Sequence, residues 1–106
     1  MTNILIQIKR TILAGHYAFS EKARIEMEID GITEMDVAES ILSAVAIYKT
    51  IRSKSPYRKD KREKLYIIQS TNLEGLPIYT KGKIVSEMGQ TLYYFLISSK
   101  KSAEVV

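Results

Sequence analysis

Apolar residues return every three to four positions at the start of the chain and every second position after Val45, so a helical part precedes a sheet part. Ile4, Ile8 and Ile12 stand at i, i+4 and i+8 with Leu5 and Leu13 beside them, and Gly15 follows as a stop. This spacing predicts an amphipathic helix over 4–14. Ser20 is a candidate cap for a second helix over 21–29, with Ala23, Met27 and Ile29 facing inward and Gly31 ending it. Thr33-Glu34-Met35-Asp36 approximates a capping box in which Asp36 is a shorter substitute for glutamate. Ile32 and Val37 occupy the positions of a hydrophobic staple, so a third helix is predicted over 34–44.

Four β-rich runs follow, at 46–51, 65–70, 78–85 and 91–99. Glu74-Gly75 and Met88-Gly89 supply turn chemistry, so the last three runs are predicted to form consecutive antiparallel hairpins. Residues 52–63 are polar, charged and broken by Pro56, which predicts an exposed loop. Residues 102–106 are predicted to fray. The expected architecture is α+β: three N-terminal helices packed on a four-stranded antiparallel sheet, in one domain over 1–106.

Composition narrows the chemistry. The chain has 106 residues, no cysteine and one histidine, His16. These counts argue against a disulfide framework, a thiolate zinc site, a cysteine nucleophile and a serine–histidine–aspartate triad, and no cofactor or metal is expected. No run approaches the roughly 20 apolar residues of a membrane span, and the N-terminal stretch lacks the features of a signal peptide. A cytoplasmic protein without membrane contact is the expectation.

Charge is distributed unevenly. Residues 1–48 carry four basic and seven acidic side chains, whereas residues 49–106 carry twelve and five. The second half therefore has a net charge of +7, a field that attracts polyanions or an acidic protein. Within it, Lys49, Arg52, Lys54, Arg58, Lys59, Lys61, Arg62 and Lys64 surround Tyr57, with Asp60 and Glu63 the two acids of the stretch. Cations pair with phosphates and a tyrosine stacks on bases, so this loop is a candidate RNA-binding element. Tyr79, Lys81 and Lys83 fall at i, i+2 and i+4 of the third run and share one face, opposite Ile78, Thr80, Gly82 and Ile84. Two lysines on one face of an interior strand mark that face as open to solvent or ligand. Tyr93 and Tyr94 read as packing residues, Ser98 and Lys100 as contacts at a strand end, and His16 as a helix-end or surface residue.

Three stretches together carry a resemblance. They are Tyr17-Ala18-Phe19-Ser20-Glu21-Lys22-Ala23 with Met27 and Gly31-Ile32-Thr33; Arg62-Glu63-Lys64-Leu65-Tyr66-Ile67-Ile68; and Ile78-Tyr79-Thr80-Lys81-Gly82-Lys83-Ile84 with Tyr93-Tyr94 and Leu96-Ile97-Ser98-Ser99-Lys100. They resemble a family of small bacterial proteins of unknown function viewed as relatives of RelE- and MqsR-type toxin ribonucleases. The resemblance covers residues 16–101 and implies a RelE/MqsR-like fold, a small antitoxin-like protein partner and RNA as substrate. It further implies metal-independent mRNA cleavage by lysine, glutamine and tyrosine side chains on the sheet. Lys49, Tyr79 and Lys100 are the local matches, and no glutamine matches as well. Lys22 and Ile29-Asp30 depart from the family pattern, which has histidine and arginine there. The chemistry needs a base for the 2′-hydroxyl, cations for the phosphorane and an acid for the leaving oxygen, which crowded lysines such as Lys81, Lys83 and Lys100 and a tyrosine are suited to supply. The alternative is a non-catalytic module that holds nucleic acid or an acidic protein.

Overall fold

The computed structural model describes residues 3–57 and 62–102. Its elements run α1 (Ile4–Leu13), β1 (Tyr17–Phe19), α2 (Glu21–Asp30), α3 (Glu34–Ser43), β2 (Lys49–Arg52), β3 (Lys64–Thr71), β4 (Pro77–Glu87) and β5 (Gln90–Lys101).

The helices begin where capping chemistry places them. Asn3 accepts the Leu5 amide, Ser20 Oγ accepts the Ala23 amide at 3.0 Å, and Thr33 and Asp36 exchange side-chain–backbone bonds in a complete capping box. Gly31 ends α2 with φ of 68°, the left-handed conformation that glycine adopts without a Cβ penalty. The buried stripe of α1 is Leu5, Ile8, Thr11 and Ile12, so Ile4 and Leu13 fall at its margins and are exposed. Ile29 of α2 also points to solvent, while Ala23 and Met27 are buried.

Among the described residues the sheet has five strands, not four, in the order β1-β5-β4-β3-β2, and it is mixed. β2 to β5 pair antiparallel, but β1 runs parallel to β5 with Tyr17 opposite Tyr94 and Phe19 opposite Leu96. Three residues between two helices carry too little alternation to announce a strand; β1 exists because β5 supplies its partner groups. The first β-rich run pairs only from Lys49, and Arg52 closes β2 instead of opening the loop. Of the stretch expected to fray, Ser102 is held, its amide donating to the Pro77 carbonyl and its hydroxyl to Gln69 Oε1, and residues 103–106 lie outside the described residues. The Met88-Gly89 turn joins β4 to β5 with φ of 53° and 79°, both positive as a two-residue primed hairpin turn requires.

One face of the sheet carries the core. Ile68, Ile78, Tyr94 and Leu96 pack there against Ile8, Ile12, Ala23, Met27, Val37 and Ile41 from the three helices. Gly82 lies on that face beneath Tyr94; a Cβ there would stand 2.6 Å from two carbons of the ring. The absent side chain is what admits the ring. The opposite face carries Tyr79, Lys81 and Lys83, and the buried Leu65 and Ile67 beside them lie outside the core cluster.

Candidate functional site

β4 is the middle strand of the sheet, so its outward side chains have neighbours on both sides. Register sets those neighbours. Gln69 of β3, Tyr79 of β4 and Lys100 of β5 form one cross-strand row. Lys49, Ile67, Lys81 and Ser98 form the adjacent row on the same face. Directly paired residues approach closely enough for their side chains to interact.

An irregularity in β5 completes the first row. Lys81 pairs with Ser98 but Gly82 pairs with Leu96, so Ile97 is an extra residue opposite the Lys81/Gly82 step. Tyr94 and Leu96 face the core; unbroken alternation would have sent Ser98 and Lys100 the same way. The bulge reverses the parity, and Lys100 joins Tyr79 on the outer face. Its Nζ sits 5.4 Å from the centre of the Tyr79 ring, within cation–π range.

α2 contributes the remaining group. Beyond Phe19 the edge of β5 has no strand partner, and α2 lies along it. Glu26 Oε1 accepts the Ser99 amide at 3.2 Å and Asp30 Oδ2 accepts the Lys101 amide at 2.8 Å. Four residues of helix advance about 6 Å and two residues of strand about 6.8 Å, so carboxylates at i and i+4 match alternate strand amides. Glu26 Oε1 also accepts from the buried Ser98 hydroxyl at 2.7 Å, and its Oε2 lies 3.9 Å from Lys100 Nζ. This carboxylate therefore holds the strand edge and one cation of the site together. Burial, with the Glu26 charge second, raises the Tyr79 pKa above its ordinary value and keeps the phenol neutral and proton-bearing at physiological pH.

Lys49 occupies the exposed edge strand on the same face as Lys81, two strands or about 10 Å away with Ile67 between them. Arg52 pairs with Lys64. Lys54 is exposed in the segment after β2. Arg58, Lys59 and Lys61 lie outside the described residues. Tyr57, Arg62, Lys64 and Lys83 gather elsewhere, around a cleft of about 430 Å³ at the far end of β4, with Glu63, Tyr66, Ile84, Val85 and Ser86. Lys83 Nζ stands 3.4 Å from both Glu63 carboxylate oxygens, so it belongs to this cleft and not to the Tyr79 row. His16 is exposed; its carbonyl accepts the Tyr94 amide, some six residues or about 20 Å along β5 from Lys100.

The loop and strand stretches of the sequence thus divide into two places. Gln69 and Glu26 were not legible as site residues: Gln69 enters by register alone, and Glu26 reaches the sheet from a helix. Among the described residues no group of three or more His, Asp and Glu side chains is placed to hold a metal ion. Neither does any helix among them have the length and apolarity to cross a membrane. No protein-family model, no curated protein and no solved structure matches the chain.

Proposed function

We propose that the helix-free sheet face binds single-stranded RNA in the cytoplasm and cleaves it without a metal ion, as a toxin-like endoribonuclease restrained by a small acidic protein partner. The observation that carries this reading is the row Gln69–Tyr79–Lys100 with Lys81 beside it: an amide, a neutral phenol and two cations on one open face. It supplies the lysine, glutamine and tyrosine set that the family resemblance implies, including the glutamine that local matching did not find. Lys81 and Lys100 place positive charge where a pentacoordinate phosphorane becomes dianionic. Tyr79, held protonated, donates to the departing 5′-oxygen, and the free-amine form of Lys49 receives the proton of the attacking 2′-hydroxyl, while Lys81 stays a cation.

The test is incubation of purified protein with single-stranded RNA in EDTA, with the product ends identified. Fragments ending in 2′,3′-cyclic phosphate are expected, and Tyr79→Phe or Lys100→Ala should lower kcat by about 10²–10³ with the fold intact. Intact RNA at high protein concentration overturns the reading. Two ion pairs, Lys100 with Glu26 and Lys83 with Glu63, favour the second reading, a binding module whose cations are partly neutralised. That module binds RNA with a salt-dependent affinity and leaves it whole.

A further inference from the structure

The cleft at the far end of β4 has a composition that the cleavage chemistry does not use. Its volume of about 430 Å³ falls within the range of small-ligand sites. Among the described lining residues, Arg62, Lys64 and Lys83 bring three cations and Glu63 one carboxylate, and Tyr57 and Tyr66 bring two rings. Tyr57 is 89% exposed, so its ring has a face free for stacking. Tyr66 is half-buried, and the phenol of Tyr94 lies close behind it, over Gly82, the cross-strand partner of Tyr66. That Tyr94 hydroxyl is fully buried and has no hydrogen-bond partner among the described residues, an unspent polar atom beneath the cleft wall.

We infer that this cleft binds one nucleotide and selects its base. Arg62 and Lys64 meet the phosphate, and the base lies against Tyr57. The selecting group is Glu63. Lys83 neutralises it at 3.4 Å from both oxygens, which lets the carboxylate stand in a phosphate-binding cleft without repelling the ligand. A carboxylate only accepts hydrogen bonds, so it favours a base with an exocyclic amino group over uracil, whose single N–H is flanked by two carbonyl acceptors that repel it. The inference rests on the proposed RNA reading for the origin of the nucleotide. From Tyr79 to Val85 the strand advances about 20 Å, so one single strand can reach the cleft and the Tyr79 row together within a few nucleotides.

The test titrates the full chain with cytidine, adenosine, guanosine and uridine monophosphates, and separately with RNA pentamers, while amide shifts are followed. Shifts at Tyr57, Tyr66, Val85 and Ser86 are expected, with the amino-bearing nucleotides binding about tenfold tighter than uridine monophosphate. Glu63→Ala should abolish that preference, and Tyr57→Ala, an exposed change that spares the fold, should weaken every nucleotide about tenfold. Equal affinity for all four, or shifts confined to the Tyr79 row, overturns the inference. Mononucleotide binding in the cleft by a protein that neither binds nor cleaves RNA supports the cleft and sinks the RNA reading. RNA cleavage with an unchanged KM and base preference in both variants does the reverse.

Discussion

The two faces of β4 divide the molecule. Ile78, Thr80 and Gly82 are sealed beneath helices, whereas Tyr79, Lys81 and Lys83, interleaved with them, face outward. The same backbone sets both faces, so what differs is the environment: apolar contact and close packing on one side, charge and access to solvent on the other. The buried face is where change costs stability. The open face tolerates change in stability and is where change alters chemistry.

That contrast breaks most sharply at Ile68, on the core face of β3 and 1% exposed. Ile68→Ala should cost about 2–5 kcal/mol in denaturant unfolding. Gly82→Ala should cost about 1–3 kcal/mol, because its Cβ meets the Tyr94 ring at 2.6 Å; an unchanged melting temperature would show that the ring has somewhere to go. Glu26→Ala tests the join between the faces. It strips an acceptor from the Ser99 amide and the Ser98 hydroxyl, a loss of about 1–3 kcal/mol, and should lower cleavage too by freeing Lys100.

Asp36 fastens α3 beside the core, and a smaller effect is expected there. Its carboxylate accepts the Thr33 amide at 2.9 Å and the Asn72 side-chain amide at 3.1 Å, and the Thr33 bond is the main cause of its lowered pKa. A carboxylate with a folded pKa below its unfolded value stabilises above the unfolded pKa, and this contribution fades as pH falls through the folded one. Thermal melts below about pH 4 should therefore show a shallower acid loss for Asp36→Asn than for the parent, with about 1 kcal/mol or less at stake near neutrality. Lys81→Ala should be smallest in stability, within about 0.5 kcal/mol, while RNA cleavage falls; a large drop in melting temperature would remove the distinction between the faces.

Local signals foretold much of this division. The Ser20 and Thr33 caps, the Gly31 stop and the Met88-Gly89 turn are short-range devices, and each does in the structure what its residues suggest. The alternation of β4 likewise told which side its lysines take. Register is another matter. Tyr17-Ala18-Phe19 becomes a strand only because β5 lies alongside, and Gln69 meets Tyr79 only through a pairing fixed by the turn at 72–76. Asn72 holds that turn by accepting the Glu74 and Leu76 amides, while Leu73 donates to Glu39 of α3. The β1–β5 pairing and the Leu73–Glu39 bond join residues far apart in sequence, and periodicity does not record them.

The extra residue at Ile97 has a consequence for how such a protein can change. Before it, β5 spends its inward positions on Tyr94 and Leu96; after it, the inward set passes to the other parity and Lys100 is released. From Tyr93 onward the strand behaves as two modules in opposite phase, joined at one residue. Substitution of Lys100, outward and beyond the joint, can retune surface charge without disturbing Tyr94 and Leu96, and substitutions at those two positions can repack the core without changing the charge of the outer face.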